Sequence, residues 1–385
     1  MILAVGLGVL VLANLAFALK AYASALRRAW ILTGSAGATD LPSVSIVVPA
    51  RNEERQLEAC VLTLLAQDHA DFEVIVVDDQ STDATRSILD RLARNDGRLK
   101  IVEGEPLPDG WVGKPWALVQ GVRAARGAWL LFTDADTFHR PWSAASVQRA
   151  ALENDLDVLS VLTSQDLESV AERALMPSVF LAIFLGTGPI DDVADPKKPN
   201  VALFNGQYIL AKRSAYDAIG GHASVSGEIA EDMELARRFK RDGRFRIALA
   251  GSEAIAHTRM YHSLAEIWHG FVKNFALGVR GEPLRAAVGL LAYACLSPFS
   301  PALLVYLLVA CQWAAAAILG ASIACGVAAA AASMGRMRVS PWLALWLPVG
   351  NAFVLAVLAA SMASFASGRG VEWRGRRYGG SFGSG

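Results

Sequence analysis

The middle of the chain, from about residue 42 to residue 280, alternates between two patterns of hydrophobic and polar positions. Short apolar runs bounded by turn residues predict buried strands, and apolar residues recurring every three or four positions predict helices. The predicted strands are Ser43 to Val48, Glu73 to Asp78, Leu99 to Val102, 128 to 134 and 157 to 163, and the predicted helices are 53 to 67, 83 to 95, 114 to 126 and 143 to 153. This alternation is typical of an α/β fold with a parallel-dominated sheet and helices on both faces.

Both ends of the chain are apolar over much longer stretches. Residues 2 to 19 form an almost uninterrupted apolar run that is long enough to cross a bilayer as a helix, and 286 to 333 and 341 to 366 add further apolar blocks. With 54% hydrophobic residues and a mean hydropathy of +0.35, the chain is too apolar for an entirely soluble protein. We expect one membrane anchor at the front and two or three spans at the back.

Basic residues near the apolar runs predict the orientation. No positive charge precedes the first run, whereas Lys20, Arg27 and Arg28 follow it, which favours a cytoplasmic location for the middle domain. A cleaved signal peptide is the alternative for this run, because the small residues Ala21, Ala23, Ser24 and Ala25 follow it, although Tyr22 interrupts them. The protein is therefore expected to be a multi-pass protein of the cell membrane with its globular domain on the cytoplasmic side.

The topology of the back end stays open. Arg336 and Arg338 follow one apolar block and a basic tail follows the next, so both clusters favour the cytoplasm although one simple crossing separates them. Either the block from 341 to 366 is broken or re-entrant at 348 to 351, or the charge bias fails at one cluster. The predicted domains are an anchor (1–28), a globular domain (42–280), a membrane region (286–367) and a basic tail (368–385).

Charge and cysteine content exclude two classes of function. The 36 basic and 36 acidic residues balance, so the chain lacks the overall basic field of a nucleic-acid-binding protein, and no nucleic-acid partner is expected. The four cysteines are far apart and lack C-x-x-C spacing, which argues against a cysteine metal site or a disulfide framework.

Three polar clusters directly follow predicted strands. They are Pro49 to Glu54, Asp78 to Asp83, and the pair Asp134 and Asp136. In open α/β sheets, ligands bind beyond the carboxyl ends of the strands, so these clusters are expected at one edge of the sheet. Thr82 or Asp83 is also a plausible N-cap for the following helix.

Asp134 and Asp136 form an Asp-x-Asp pair that suits a hard divalent cation. Alternation along a strand would direct both carboxylates to the same side, where they could share Mg²⁺ or Mn²⁺ that also binds diphosphate oxygens. His139 follows shortly afterwards and is a candidate to approach the metal, with a structural role as the alternative. The pair therefore predicts a site for a nucleoside diphosphate.

Two further elements carry candidate chemistry. Lys114 opens a helix after a glycine-containing turn, so it is either a phosphate ligand or an ordinary surface lysine. Glu231 and Asp232 begin another helix, where acidic side chains stabilise the helix dipole. The functional alternative is that one of these two carboxylates, Asp232 by preference, acts as a general base toward an acceptor hydroxyl, which makes Glu231 a candidate site residue as well. The loop from 186 to 199 is polar, and it is expected to be either an acceptor-side lid or a plain surface loop.

Taken in order, these motifs resemble those of a family 2 glycosyltransferase with the Rossmann-like GT-A fold, over roughly residues 42 to 275. The resemblance implies that the first two loops surround a uridine, that the Asp-x-Asp pair binds Mn²⁺ or Mg²⁺ on the diphosphate, that Asp232 is the base, and that the anomeric carbon is inverted. The residues implied at the nucleotide-sugar are Pro49, Ala50, Arg51, Glu53, Asp78, Asp79, Lys114 and Asp134.

Within that family the chain is similar to membrane-bound lipid glycosyltransferases of the hopanoid-associated and carotenoid types. The segments that carry this likeness are Gly110 to Lys114 with Ala117, Asn205 to Gln207, Arg259 to Tyr261 and Trp373 to Tyr378. Gln207 is accordingly a further candidate site residue. The likeness implies transfer of one sugar to a membrane lipid.

Three other functions are weighed against this one. A processive polysaccharide synthase is disfavoured, because no Gln-x-x-Arg-Trp element follows Asp232 and too few spans remain for a polymer channel. A dinucleotide-dependent oxidoreductase would need a G-x-G-x-x-G turn after its first strand, and the chain lacks one. A catalytically silent membrane protein that only binds lipid or nucleotide is the third.

Overall fold

The computed structural model describes residues 2–26, 30–34, 40–252, 254–280, 283–336, 340–367, 371–373 and 376–378. The chain forms two compact units. The sheet unit comprises Ala29–Asp166 and Ile190–Met260, and the helical unit comprises Met1–Arg28, Leu167–Pro189 and Tyr261–Gly385. The domain boundaries expected from the sequence remain predictions.

The secondary structure follows the alternation expected for the middle of the chain. The strands are β1 (Val44–Ala50), β2 (Phe72–Asp78), β3 (Leu99–Glu103), β4 (Trp129–Phe132), β5 (Thr137–His139), β6 (Val158–Leu162), β7 (Ser164–Gln165), β8 (Ile209–Lys212), β9 (Ile247–Gly251), β10 (Ala256–Thr258), β11 (Val371–Trp373) and β12 (Arg376–Tyr378). The α-helices are α1 (Ile2–Leu26), α2 (Leu57–Leu65), α3 (Thr85–Asn95), α4 (Gly113–Ala124), α5 (Ser143–Glu153), α6 (Val170–Thr187), α7 (Arg213–Ala218), α8 (Glu231–Asp242), α9 (Leu264–Arg280), α10 (Pro283–Ala294), α11 (Ser300–Val309), α12 (Trp313–Arg336) and α13 (Leu347–Ala366).

The sheet unit is built on seven strands in the order β3-β2-β1-β4-β8-β6-β9. All neighbouring pairs are parallel except those that β8 makes with β4 and β6. The predicted fold class, a parallel-dominated α/β sheet, is confirmed. The register places Ala50 beside Asp78, so the loops that follow β1 and β2 leave the sheet at the same level. A smaller sheet has the order β5-β10-β7.

The central strands read as continuous apolar runs because both faces of the sheet are covered. Every residue of β2 is buried, and in β1 only Pro49 is partly exposed. On one face, α4 contacts β1 and β2 so closely that a Cβ at Gly121 would collide with the side chain of Val47. Glycine at this position therefore allows α4 to approach the sheet closely. Lys114 lies in the first turn of this helix.

A buried carboxylate joins the amino-terminal ends of the central strands. Glu73 accepts hydrogen bonds from the Ser45 hydroxyl (2.6 Å) and the Arg126 backbone N–H (2.8 Å), and the Lys100 ammonium lies 2.6 Å from its second oxygen. Burial alone would raise the pKa of Glu73, but the hydrogen bonds from Lys100, Ser45 and Arg126 outweigh it and hold the pKa below its usual range.

Replacing Glu73 with alanine is expected to destabilise the protein by about 2–4 kcal/mol, because buried donors would lose their acceptor. Since the folded-state pKa is lowered, the stabilisation by Glu73 is present above the unfolded-state pKa. The difference between wild type and Glu73→Ala should therefore shrink as the pH falls through the folded-state pKa. Thermal melting in detergent measures it, with Asp71→Ala as the control. Asp71 pairs with the same Arg126 at 2.9 Å but is half exposed. Equal effects of the two variants would contradict the assignment.

In the helical unit, five segments of the described chain are long and apolar enough to cross a membrane by length and composition. They are Leu3–Ala23, Val170–Thr187, Ala287–Val309, Trp313–Gly335 and Pro341–Ser364. The expected front anchor and three back segments are among them, and α6 is an additional candidate. The last segment is a 3₁₀-helix over Pro341–Trp346 that continues as α13, which is unbroken across residues 348 to 351. The side chains of the basic clusters at both ends of this segment lie outside the described residues.

One polar contact interrupts the apolar packing of this unit. Asn14, the single polar residue of the first apolar run, is buried and donates from Nδ2 to the Ser300 hydroxyl oxygen at 2.8 Å. Ser300 in turn donates to the Cys295 carbonyl at 2.6 Å. Such interhelical hydrogen bonds satisfy polar groups that would otherwise face hydrocarbon, and they fix the register of α1 against α11.

Candidate active site

The loops that follow β1 and β2 are bonded to each other. Arg51 Nη1 donates to the Asp79 carbonyl at 2.6 Å, and the Asn52 backbone N–H donates to the Ser81 hydroxyl at 3.0 Å. The Thr82 backbone N–H donates back to Asn52 Oδ1 at 2.8 Å, and the Glu53 backbone N–H donates to the Thr85 hydroxyl at 2.8 Å. The two predicted nucleotide-binding loops therefore form one surface at the carboxyl ends of the strands, as the sequence indicates.

The acidic residues of these loops have different environments. Asp78 and Asp79 are buried, and Asp78 Oδ1 accepts from the Ser81 backbone N–H at 3.1 Å. The N-cap of α3 is Ala84, so the expectation of Thr82 or Asp83 at that position was wrong, but the Asp83 carboxylate accepts from the Thr85 backbone N–H at 3.0 Å at the start of the helix. Pro49 and Ala50 end β1 beside Asp78.

Asp134 and Asp136 lie in a turn that follows β4. The strand ends at Phe132, and the Thr137 backbone N–H donates to the Asp134 carbonyl at 3.2 Å, which closes a four-residue turn. The expectation that strand alternation positions both carboxylates was therefore wrong. The turn still presents the pair at the same edge of the sheet as the first two loops, and both side chains are partly exposed.

Lys114 joins two of the predicted motifs. Its Nζ lies 2.7 Å from Asp134 Oδ1 and 2.7 Å from Glu231 Oε1. Burial alone would lower the pKa of Lys114, but the charges of Asp134, Glu231 and Asp232 outweigh it and hold the pKa well above its usual range. Lys114 is thus a protonated cation among carboxylates, which is a more specific environment than that of an ordinary surface lysine.

Asp232 completes this group. Its Oδ2 accepts from the Gly206 backbone N–H at 2.9 Å, and its Oδ1 accepts from the Met233 backbone N–H at 2.8 Å. Burial and the neighbouring Glu231 carboxylate raise the pKa of Asp232 to about 6, against the opposing effect of Lys114. Because each oxygen keeps a lone pair, Asp232 retains the capacity to accept a proton near neutral pH. We refer to Lys114, Asp134, Glu231 and Asp232 as the charged cluster.

Gly206 is a residue of the site whose role the sequence does not indicate. A Cβ at this position would lie 3.0 Å from Lys114 Nζ and 3.1 Å from Asp232 Oδ2. Glycine is therefore what allows the chain between β6 and β8 to contact the charged cluster through its backbone N–H.

Gln207 follows Gly206 and is buried. Its side-chain oxygen accepts from the Thr163 hydroxyl and from Gln165 Nε2, the latter at 3.2 Å, and its backbone carbonyl accepts from the Thr133 hydroxyl at 2.8 Å. These bonds place Gln207 next to the end of β4 and fix its amide orientation.

His139 does not join the charged cluster. It is buried, and its two ring nitrogens lie 2.9 Å from the Thr133 hydroxyl and 3.3 Å from the Ser143 hydroxyl. Burial lowers its pKa to about 3, so the ring is neutral. The structural alternative fits this geometry better than the approach to a metal.

A histidine–aspartate pair lies at the smaller sheet. His257 Nδ1 lies 2.6 Å from Asp166 Oδ2. The sequence gives no signal for this pairing, because β7 and β10 are too short to form a recognisable pattern.

The segment from 186 to 199, which is expected to be either an acceptor-side lid or a plain surface loop, is partly held by side-chain contacts. In the sheet unit, Lys198 pairs with the Asp192 carboxylate at 2.6 Å, and Lys240 Nζ donates to the carbonyls of Asp192 and Asp195 at 3.3 and 2.7 Å. These contacts connect the 3₁₀-helix Ile190–Val193 to α8.

The donor chemistry at the turn after β4 fits a hard divalent cation. Asp134 and Asp136 supply carboxylate oxygens, and Asp134 already binds a cation, the ammonium of Lys114. Among the described residues no three His, Cys, Asp or Glu side chains form a cluster that could hold a metal. A pair of aspartates suits Mg²⁺ or Mn²⁺, because these ions commonly bind to one or two carboxylates and complete their coordination with substrate phosphates and water.

Comparison with known proteins relates the middle of the chain to one family. Residues 45–220 match the family described as glycosyl transferase family 2, the family that the motifs resemble. The match includes the first two loops, Lys114, the Asp-x-Asp turn and Gly206, and it ends before Asp232.

Two curated relatives and one solved structure refine the comparison. The 4,4'-diaponeurosporenoate glycosyltransferases of Staphylococcus aureus strains bovine RF122 / ET3-1 and USA300 are 28% and 27% identical over 246 residues. The alignment spans 62% of this chain and 62% of each relative, which is less than two thirds of their length. The mannosyltransferase PcManGT from Pyrobaculum calidifontis, solved in complex with GDP-Man and Mn²⁺, has a TM-score of 0.60 and 21% identity, with 94% of this chain and 99% of that chain covered. This likeness shows that the fold is GT-A-like.

Proposed function

We propose that the protein transfers a single sugar from a nucleotide-sugar to a membrane lipid, with a divalent metal as cofactor and inversion at the anomeric carbon. The observation that carries the proposal is the charged cluster. Lys114, a lysine suited to phosphate, lies 2.7 Å from Asp134 of the Asp-x-Asp pair and 2.7 Å from Glu231, the neighbour of the candidate base Asp232.

The donor would bind at the two bonded loops. Arg51, Glu53, Asp78 and Asp79 offer charged groups to the nucleoside, and Pro49 and Ala50 form the adjoining backbone at the end of β1. A UDP-sugar is the donor that the motif resemblance favours. Lys114 would then lie between the diphosphate and the acceptor side, and Gln207, fixed through its amide oxygen, would line the sugar side.

Asp134 and Asp136 would hold Mg²⁺ or Mn²⁺. When bound, such an ion neutralises the negative charge that develops on the leaving diphosphate. PcManGT was solved with Mn²⁺, which supports a divalent metal as cofactor.

Asp232 would act as the general base. Its carboxylate takes the proton from the acceptor hydroxyl while the acceptor oxygen forms a bond to the anomeric carbon and the bond from that carbon to the diphosphate oxygen breaks. One base and one leaving group on opposite faces of the sugar correspond to a single displacement with inversion. The backbone N–H groups of Gly206 and Met233 hold the carboxylate in place during this step.

A lipid acceptor is supported by the composition of the helical unit, with its five candidate spans, and by the 4,4'-diaponeurosporenoate in the names of the curated relatives. The protein is then a multi-pass protein of the cell membrane. The basic residues that follow the first apolar run favour a cytoplasmic location for the catalytic domain.

A donor assay tests this function. The purified full chain in detergent should release nucleoside diphosphate from one of a panel of UDP-sugars and GDP-sugars when Mn²⁺ and membrane lipid extract are present. Mass spectrometry should detect a lipid whose mass increases by one hexose-type residue. A ladder of products differing by successive sugars would favour the processive alternative, and absence of turnover with every donor would contradict the proposal.

A further inference from the structure

The position of Lys114 within the charged cluster has a consequence for metal binding. Its ammonium lies 2.7 Å from Asp134 Oδ1, the carboxylate that would also bind a divalent cation. Mg²⁺ binds to a carboxylate oxygen at about 2.0–2.1 Å, so it and the ammonium would lie within a few ångströms of each other at Asp134. Like charges at such a distance repel strongly in a partly buried site. The two cations cannot both bind Asp134 at full strength.

Lys114 has an alternative partner on its other side. Its Nζ also lies 2.7 Å from Glu231 Oε1, and the Glu231 side chain is 6% exposed, whereas that of Asp134 is 29% exposed. Losing the Asp134 contact would therefore leave the ammonium paired with a more deeply buried carboxylate. A donor diphosphate would offer it further anionic oxygens. The contact with Asp134 is the one that Lys114 can exchange.

We infer that Lys114 competes with the divalent cation for Asp134, so that metal affinity stays low until a donor diphosphate takes over part of the interaction with the ammonium. This inference rests on the proposed function. It makes Lys114 a positioning residue that couples metal binding to donor binding, in addition to any direct contact with phosphate. Metal and donor then bind with positive cooperativity.

Gly206 restricts how Lys114 can move. A Cβ at position 206 would lie only 3.0 Å from Lys114 Nζ, so the ammonium lies directly against the backbone between β6 and β8. The backbone at Gly206 therefore blocks movement of the ammonium on that side. When Lys114 leaves Asp134, it is expected to move toward Glu231 and the donor diphosphate.

The experiment measures Mn²⁺ alone, by electron paramagnetic resonance titration of the full chain in detergent. Lys114→Gln should bind Mn²⁺ about tenfold more tightly than wild type, because it removes the competing cation. Lys114→Arg keeps the cation, so it should stay within about threefold of wild type. Lys212→Gln is the matched control. Lys212 pairs with Asp157 at 2.9 Å and its side chain is also 30% exposed, but it lies at the other end of the sheet. It should leave Mn²⁺ affinity unchanged.

Asp136→Asn distinguishes failure of the competition between Lys114 and the metal from failure of the proposed metal dependence. If wild type binds Mn²⁺, Asp136→Asn loses it, and Lys114→Gln binds no more tightly than wild type, the competition is refuted and the proposed function stands. If neither wild type nor Lys114→Gln binds Mn²⁺, with or without nucleoside diphosphate, both the inference and the metal dependence are refuted. Melting temperatures of all variants identify a loss of folding. If Lys114→Gln is unfolded, the Mn²⁺ affinities of Lys114→Met and Lys114→Arg are compared instead, and the competition requires that Lys114→Met binds Mn²⁺ more tightly.

Discussion

Asp232→Asn is expected to lower kcat by about 10²–10⁴-fold while nucleoside diphosphate still binds, because the variant loses the group that accepts the proton but keeps its volume. The pH profile gives an independent signature. With its pKa raised to about 6, Asp232 is deprotonated and competent as a base above that pH. The wild-type kcat/KM should therefore fall as the pH drops below about 6, and Asp232→Asn should lose this dependence. Steady-state kinetics between about pH 5 and about pH 8 measure both effects.

The helix-dipole alternative for Asp232 has its own control. Glu234 lies in the same first turn of α8 and pairs with Arg237 and Arg241, so Glu234→Gln removes an acidic group from the helix terminus without touching the charged cluster. If the role of Asp232 is electrostatic support of the helix, both variants should have similar, small effects on kcat. A loss of turnover confined to Asp232→Asn supports the base.

Stability measurements separate chemistry from folding. A carboxyl whose folded-state pKa is raised stabilises the protein fully below its unfolded-state pKa, and this contribution is lost as the pH rises through about 6. The melting temperature of Asp232→Asn relative to wild type should therefore increase as the pH is raised from about 4 to about 7. At neutral pH the ionised Asp232 therefore lowers the stability of the fold and at the same time serves as a base, a combination that is common in active sites.

The sheet was predictable where the strands are buried on both faces. The runs that form β1 and β2 are so continuously apolar that their predicted ends differ from the observed ones by at most two residues. Helix α2 begins at Leu57 and not at 53, because the Glu53 backbone N–H is bonded to Thr85 and the segment up to Gln56 forms a turn. Local patterns do not reveal such competition from another loop.

The order of strands in the second half of the sheet could not be predicted. β8 lies between β4 and β6 and runs antiparallel to both, although more than forty residues separate it from β6 along the chain. Pairing of this kind depends on tertiary packing, since a short strand such as Ile209–Lys212 carries little register information of its own.

The candidate active site was likewise predictable only in part. The positions of the motifs after strands predicted that the first two loops and the Asp-x-Asp pair lie at one edge of the sheet, and the family resemblance implied Asp232 as the base. The motifs did not indicate that Lys114 would pair with both Asp134 and Glu231, which lie 20 and 117 positions further along the chain. Nor did they indicate that the Gly206 backbone would orient Asp232. Contacts between side chains from separate loops depend on the assembled sheet.

Asp136→Asn is expected to abolish Mn²⁺ binding and to reduce turnover by at least about 10³-fold, because the amide is a poor ligand for a hard cation and the leaving diphosphate would lose its neutralising charge. Folding should be retained. Asp136 lies in the turn after β4 and is partly exposed, and the hydrogen bond that its carboxylate accepts from the Thr137 hydroxyl is long, at 3.5 Å. Titration with Mn²⁺ and the donor assay, performed on the same preparation, measure the two effects together.

A matched control strengthens this test. Asp155 is a turn residue that pairs with Arg246 at 2.9 Å, at the opposite end of the sheet from the charged cluster, so Asp155→Asn should leave Mn²⁺ affinity and turnover unchanged. Full activity of Asp136→Asn at ordinary Mn²⁺ concentrations would remove Asp136 from the site, and metal binding would then have to rest on Asp134 alone, in direct competition with Lys114.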